Sequence, residues 1–292
     1  MTRRVFIPIL AVLTFVVLLI AAGTQLGNMM VAAPAPDALP DFSPDGEWIV
    51  YEHEEADLRK TLWVARPDGR DARLLADPGY SPSWHPAGDR IVFVRASDQG
   101  VRPFVVAAEG GEPEPLKHPV LERRYYLGGV EWARDGTSVF YITHDPDPRT
   151  AWKLNLATGE TVQAAPGGSA FVKETHDGAG VVYPRSGQEA LALIWRNDET
   201  GEERVAASSI MNSQAFDVGA SAVYYVAPGP DPYGEGFLRA FDFATGETRE
   251  LGPVVDRPYA GLTVSRDEKT IVVSRSHGDF ERREFQVFRL DD

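Results

Sequence analysis

Short apolar segments recur along the chain, and each is bounded by Gly, Pro or Asp. Such segments, with alternating apolar positions, predict β-strands. Three of them lead into similar turns, at residues 41–46, 83–88 and 131–136, with a large aromatic residue four positions before the turn Gly. The turn landmarks are Gly46, Gly88, Gly136, Gly178, Gly219 and Glu268, and they are 41 to 49 residues apart. A period of about 40 residues is typical of a propeller, a solenoid or a repeat array.

Each repeat contains a segment that ends at the landmark turn and two further apolar segments, and in the first five repeats a fourth segment lies beyond a Gly-containing turn. Second strands are predicted at residues 48–51, 91–94, 139–142, 181–183, 223–226 and 271–273, and third strands at 62–64, 104–106, 152–154, 193–195, 237–241 and 285–288. Six such repeats predict an all-β, six-bladed β-propeller over residues 39–292. Because neighbouring blades cover both faces of each sheet, we expect aromatic residues to fill the gaps between blades. These residues include Trp63, Trp84, Trp132, Trp152 and Trp195.

The first 23 residues differ from the rest. Val5 to Ala22 is an 18-residue uncharged run that follows Arg3 and Arg4. As a helix it would be roughly 27 Å long, close to the thickness of the hydrocarbon core, and the preceding Arg residues favour a cytoplasmic N-terminus. Residues 1–23 therefore predict one transmembrane helix before the propeller, which makes the chain a single-pass inner-membrane protein with the propeller on the periplasmic side. The alternative is a secreted protein, cleaved near Gly23.

The last repeat stops after its third strand, so a propeller of residues 39–292 would have one incomplete blade. Residues 24–38 form the predicted linker. Counting back from the first inner strand places Met30 to Ala33 where the outer strand of blade six is needed. A strand there would close the ring and protect the exposed edge. It would also turn the face with the landmark turns towards the membrane.

Charge and composition narrow the function classes. The net charge of −14 repels phosphates, so we expect no nucleic-acid partner. With no Cys, disulfides and thiolate sites are excluded. The sequence has no Gly-x-Ser-x-Gly elbow, P-loop or dinucleotide-binding fingerprint, and its six His residues lack the helical or zinc-finger spacing of metal ligands. We therefore predict no catalytic residue, metal or cofactor.

Candidate binding residues come from the second-strand ends and the starts of the inner strands, which share one face of a propeller. Basic and aromatic side chains are frequent there, and Arg is suited to carboxylates while Tyr anchors interfaces. The candidates are His53, Arg95, His144, Arg185, Arg275, Tyr80, Tyr126 and Tyr259. They predict a site for an anion or an acidic peptide. The alternative is that the Arg residues pair with acids in nearby loops, such as Glu54 and Glu189.

The Ser-Pro-Asp-Gly turn at 43–46, the aromatic residues ahead of such turns and the Leu-Trp-Val strand at 62–64 resemble the WD-type repeats of TolB and its relatives. The resemblance covers residues 39–292 and is weakest at 212–221. It implies a six-bladed propeller outside the cytoplasm that mediates protein contacts. TolB carries an additional α/β domain before its propeller, and this sequence has no room for one.

These observations favour a membrane-tethered, extracytoplasmic propeller that binds an envelope protein or peptide without catalysis. Two alternatives stay open. One is a propeller enzyme, either a hydrolase or a metal-dependent polysaccharide lyase in which His53, His144 and His277 from different blades would hold the metal. The other is a sensor of a small ligand.

Overall fold

The computed structural model describes residues 38–97, 100–122, 127–143, 149–169, 171–187, 190–230, 235–254, 257–276 and 283–290. The predicted membrane segment at 1–23, most of the linker and the predicted closing strand Met30–Ala33 lie outside these ranges. Among the described residues, no helix is long and apolar enough to cross a membrane.

The described residues form six antiparallel sheets in chain order. Blade 1 contains β1 (Ala38–Phe42), β2 (Ile49–Glu54), β3 (Lys60–Ala65) and β4 (Arg73–Ala76). Blade 2 contains β5 (Tyr80–Trp84), β6 (Arg90–Ser97), β7 (Gly100–Ala107) and β8 (Glu114–Pro115), followed by a short helix α1 (Pro119–Glu122). Blade 3 contains β9 (Leu127–Trp132), β10 (Ser138–Thr143), β11 (Thr150–Asn155) and β12 (Thr161–Gln163).

The second half of the chain repeats this arrangement. Blade 4 contains β13 (Lys173–Glu174), β14 (Gly180–Ser186), β15 (Leu191–Asn197) and β16 (Glu203–Ala207). Blade 5 contains β17 (Phe216–Val218), β18 (Ala222–Pro228), β19 (Gly236–Asp242) and β20 (Thr248–Val254). Blade 6 contains β21 (Arg257–Val264), β22 (Thr270–Ser276) and β23 (Arg283–Arg289). The predicted six-bladed, all-β propeller is confirmed.

The hydrophobic core lies between the blades. Buried residues form six clusters, and each cluster joins side chains of two neighbouring blades, including blades 6 and 1. In blade 3 all six residues of β10 are buried, since the sheet is covered on both faces. The five Trp residues predicted to fill the gaps all lie in these clusters, and Trp84 and Trp132 are the most buried of them.

Local turn chemistry sets where each inner strand ends. Four of the five landmark Gly residues, all except Gly219, have the left-handed φ that this turn requires, for example 73° at Gly46 and 64° at Gly136. In the first turn the Ser43 hydroxyl accepts the Trp48 N–H at 3.0 Å and donates to Asp45. In blade 6 Glu268 occupies the Gly position with φ 58°. Its carboxylate accepts the N–H of Ser221 at 2.6 Å, and that bond links the turn to blade 5.

Blade 6 differs from the other blades in the burial of its third strand. The third strands of blades 1 to 5 each contain at least two buried residues, whereas residues 284–289 of β23 contain none. Among the described residues no fourth strand pairs with β23, and a paired neighbour normally helps to cover the third strand. The closing strand at Met30–Ala33 stays a prediction.

Candidate functional site

The structure places the candidate residues from the sequence at the expected strand ends. His53, Arg95, Arg185 and Arg275 lie near the ends of β2, β6, β14 and β22, and Tyr80 begins β5. Tyr259 lies in β21, while Tyr126 and His144 lie outside the described residues. We call this side of the propeller, where the inner strands begin, the start face. The opposite side is the turn face.

The Arg residues of the start face have partners within the protein. The guanidinium of Arg185 contacts both carboxylate oxygens of Glu203, at 2.7 and 2.8 Å. Arg275 pairs with Glu284 in the adjacent strand. Both carboxylates lie in strands, β16 and β23, rather than in loops. These pairs reduce the positive charge available to a ligand, and the anion site proposed from the sequence stays a prediction.

The other described candidates, Arg95, His53 and Tyr80, contact backbone or aromatic groups of the protein or are partly buried. Arg95 donates to the carbonyl oxygen of Pro78 at 3.0 Å and lies over the Phe104 ring. The His53 ring meets the Trp63 ring edge-on at 6.2 Å. Tyr80 is half-buried, and burial together with the charge of Glu52 raises its pKa. His53 and Arg95 therefore pack against aromatic rings of their own blades, and all three side chains remain partly exposed to solvent.

The structure brings together a different set of residues, on the propeller axis. One residue from each inner strand faces the central channel, and in every blade except the fourth the next residue is the aromatic or aliphatic one that packs between blades. We call this set the channel ring; its members are Asp41, Ser83, Glu131, Lys173, Asp217 and Thr263. The side chain at this position is polar in all six inner strands.

The channel ring joins neighbouring blades by one recurring hydrogen bond. At four junctions a ring side-chain oxygen accepts the backbone N–H that follows the ring position in the next blade. The donor and acceptor residues are Trp84 and Asp41 (2.7 Å), Trp132 and Ser83 (3.2 Å), Val264 and Asp217 (2.9 Å), and Phe42 and Thr263 (3.3 Å). The last bond connects blade 1 to blade 6, so it closes the ring at its inner edge.

Charged side chains, rather than this recurring hydrogen bond, connect the ring positions of blades 3 and 4. The ammonium of Lys173 lies 3.0 Å from a Glu131 carboxylate oxygen and 3.9 Å from Asp217. Next to it, Glu174 accepts the backbone N–H of Arg134 at 2.7 Å and pairs with Lys153 at 2.6 Å. A single ammonium thus faces the three ring carboxylates.

The pKa values in the ring reflect burial and crowding of like charges. Burial raises the pKa of Glu131 to about 7; Lys173 opposes this shift, and the carboxylates of Asp41 and Asp217 reinforce it. Burial also raises the pKa of Asp41. For Lys173 burial disfavours the charged form, but the three carboxylates outweigh it and hold its pKa above the usual value. Of the Glu131 side chain 29% remains accessible, because the channel admits water to groups that protein surrounds.

The ring divides the channel into two chambers that share Asp41, Glu131 and Lys173. The apolar chamber, of about 80 Å³, lies towards the start face, and every blade contributes to its wall. Its apolar lining residues include Leu39, Pro40, Pro82, Val130, Phe171, Phe216 and Leu262. The polar chamber, of about 180 Å³, lies towards the turn face and is lined mainly by polar and charged groups. Among the residues that the structure describes, no group of three His, Asp or Glu side chains is arranged to hold a metal ion.

The strands that carry the channel ring were predicted from the sequence, but the ring itself was not. The signal was present: Asp41, Ser83, Glu131 and Lys173 each precede the landmark Gly by five residues, and Thr263 precedes Glu268 by the same distance. A polar residue at a fixed position of an apolar inner strand indicates a channel-facing side chain. Which charges would meet there depended on the ring geometry.

Comparison with known proteins supports the fold. The chain superimposes on a putative TolB of Agrobacterium tumefaciens with a TM-score of 0.63 and 12% identity, over 89% of this chain and 92% of that one. It superimposes on TolB of Acinetobacter baumannii with a TM-score of 0.62 and 12% identity, over 75% of this chain and 55% of that one. The fold is TolB-like. At this identity the similarity establishes the architecture alone.

Other similarities are more distant or partial. The β-propeller domain of the trilobed protease of Pyrococcus furiosus matches with a TM-score of 0.53 and 14% identity, over 88% of this chain and 82% of that one. In sequence, the chain is 28% identical over 118 residues to an uncharacterised protein of Agrobacterium fabrum. That match spans 37% of this chain and 40% of the relative. No protein-family model matches the chain.

Proposed function

We propose that this protein is a membrane-tethered, extracytoplasmic propeller that binds a peptide segment of an envelope protein without catalysis. The apolar chamber carries the proposal. It is concave, and all six blades contribute apolar side chains that surround a few polar groups at its floor. Such a composition is typical of ligand sites in proteins.

The chamber favours a peptide over a folded surface as its occupant. A cavity of about 80 Å³ has room for one apolar side chain, and Asp41, Glu131 and Lys173 close its inner end. An inserted side chain would contact Phe171 and Leu262 in the wall. Burying one large apolar side chain contributes roughly 1.5–3 kcal/mol, enough to serve as an anchor within a larger interface.

The tether and the compartment are part of the proposal. The uncharged run from Val5 to Ala22 has the length of a membrane-spanning helix, and Arg3 and Arg4 favour export of the remainder. The TolB-like fold agrees with a binding role. An envelope peptide is thus the partner that the apolar chamber and the export signal together favour.

The test uses a photoreactive amino acid in place of Phe171 in the full chain, expressed in cells. Illumination should give a discrete adduct with one envelope protein. A matched photoreactive residue at Val162, an exposed position on the outer strand β12, should give none. Adducts of the same kind from both positions, or from neither, would reject the apolar chamber as the binding site.

A second variant tests whether the chamber must be open. Gly129 lines the chamber, and a Cβ there would meet only ordinary van der Waals contacts, the nearest at 3.8 Å from Ser81. Gly129→Leu should therefore fill the cavity without breaking the fold and abolish the Phe171 adduct, whereas Val162→Leu should preserve it. Unfolding curves of both variants identify any loss of folding.

The enzyme alternative makes a separate prediction. A metal-dependent lyase requires stoichiometric metal in the purified full chain, and its removal would abolish activity. Metal analysis by mass spectrometry, before and after chelation, distinguishes that alternative from a binding protein.

A further inference from the structure

The turn face carries a second feature, which is separate from the apolar chamber. The landmark turns form the mouth of the polar chamber, and one residue from each turn lines it. In five blades this residue lies two positions before the landmark residue; in blade 5, where the turn is shorter, it is Ala220. These residues are Pro44, Pro86, Arg134, His176, Ala220 and Arg266. Three of them are basic and none is acidic, although the whole chain has a net charge of −14.

The acids of the same turns are already engaged. Asp135 accepts the backbone N–H groups of Thr137 and Ser138 at 2.8 and 2.7 Å. Asp177 and Asp267 bind their own turns in the same way. These carboxylates therefore point back into the turns that they stabilise. Nearby, Glu268 is held by Ser221 and by the Tyr224 hydroxyl, the latter at 2.7 Å.

The three basic side chains form one group. Burial and the charges of Arg134 and Arg266 lower the pKa of His176, while Glu268 and Asp177 act in the opposite direction. Arg134 is oriented by a hydrogen bond from its guanidinium to the carbonyl oxygen of Val218, at 3.1 Å. Within the described part of the chain, no carboxylate forms an ion pair with Arg134, His176 or Arg266. The charges of Arg134 and Arg266 therefore remain available to a ligand, and the His176 ring remains available as a hydrogen-bond donor.

The depth of the chamber limits what that ligand can be. Beyond the mouth, Asp41, Asp217 and Glu174 line the chamber, so negative charge is favoured at the mouth and disfavoured deeper inside. A polyanion such as a nucleic acid would also meet the negative surface of the protein. A single planar anion satisfies both conditions, and guanidinium groups match the geometry of a carboxylate.

We propose that the mouth of the polar chamber binds one carboxylate of a peptide, held between the guanidinium groups of Arg134 and Arg266 with the His176 ring as a third donor. The carboxylate belongs either to the C-terminus of the peptide or to an Asp or Glu side chain. This site lies at the opposite end of the channel from the apolar chamber and does not depend on it.

The experiment uses the full chain in a mild non-ionic detergent, with ¹³C-labelled histidine observed by NMR. The His176→Gln variant identifies the resonance of His176. The probes are three acetylated dipeptides: one with a free C-terminal carboxylate, one amidated with a Glu side chain, and one amidated with Gln and no carboxylate. A bound carboxylate should raise the pKa of His176, because it counters Arg134 and Arg266. Saturation by the first or second probe identifies the source of the carboxylate.

Arg266→Gln is the decisive variant, since Arg266 is exposed and makes no described ion pair. It should weaken carboxylate binding by about tenfold or more, as expected when a charge-assisted hydrogen bond is lost. Arg204→Gln, which alters a half-exposed Arg on the outer strand β16, should leave the affinity unchanged. The proposal is overturned by equal binding of the Gln probe, by unchanged affinity in Arg266→Gln, or by a response to inorganic phosphate but to no carboxylate.

Discussion

Glu131 should make the stability of this protein depend on pH, and Glu131→Gln should remove that dependence. Glu131 lies in the channel, 3.0 Å from the ammonium of Lys173 and near the carboxylates of Asp41 and Asp217. Gln has the same shape but cannot ionise. The substitution therefore removes the titration while keeping the packing of β9.

The magnitude follows from the difference between the folded and unfolded pKa. Burial raises the pKa of Glu131 from 4.5 to about 7, so the folded state binds the proton more tightly than the unfolded state does. The contribution of Glu131 to the free energy of unfolding is therefore greatest at low pH, and it is lost as the pH rises from about 4.5 to about 7. At about 1.36 kcal/mol per pKa unit, the loss between pH 5 and pH 8 is roughly 2–3 kcal/mol.

The assay is urea-induced unfolding of the full chain in detergent at pH 5, 6, 7 and 8, with the free energy extrapolated to water. Between pH 5 and pH 8 the parent chain should lose roughly 2–3 kcal/mol more than the Glu131→Gln variant. His176, whose pKa is lowered, acts in the opposite direction but is present in both proteins. Comparing the two chains therefore isolates Glu131.

Glu112→Gln provides the control, because Glu112 is exposed in the loop before β8. Its pH profile should run parallel to that of the parent chain. A Glu131→Gln profile that also runs parallel would show that Glu131 ionises normally, and the reasoning about the channel ring would be wrong.

Three further predictions concern the ring and the membrane segment. Thr263→Val removes the acceptor of the Phe42 N–H and the donor to Asp217, so it should lower the free energy of unfolding by about 1–3 kcal/mol; an unchanged value would mean that this bond does not help to close the ring. Deleting residues 30–33 should lower the melting temperature, because blade 6 would lose its predicted fourth strand; an unchanged melting temperature would contradict that strand. Mass spectrometry of the purified protein should find the N-terminal segment intact, whereas a mature N-terminus near Thr24 would indicate a cleaved signal peptide.

Much of the fold could be predicted because its determinants are local. The turn at 43–46 combines a side-chain cap with a Gly at φ 73°, and neighbouring segments alternate apolar residues as strands do. The same pattern recurs in later repeats, so its period identified a propeller. Blade 5 was the weakest repeat in the sequence, and its first turn is indeed two residues shorter: Val218 pairs with Val223, whereas Phe42 pairs with Ile49.

The candidate site was harder to predict, since it depends on pairings between residues far apart in the chain. Arg185 looked like a ligand-binding residue at a channel mouth, but in the structure it contacts Glu203, two strands away in the same blade. His176 was not among the candidates from the sequence, yet it shares the polar chamber with Arg134 and Arg266. Residue type and spacing along the chain do not report such neighbours.

The sequence by itself determined the architecture, because turn conformation and strand alternation depend on residues within a few positions of one another. The tertiary structure alone decided the chemistry of the channel. Lys173, Glu131 and Asp217 come from three blades, about 40 residues apart, and only closure of the ring brings their charges together in a largely enclosed channel. The pKa values of these groups follow from their short separations in the folded protein and from their burial.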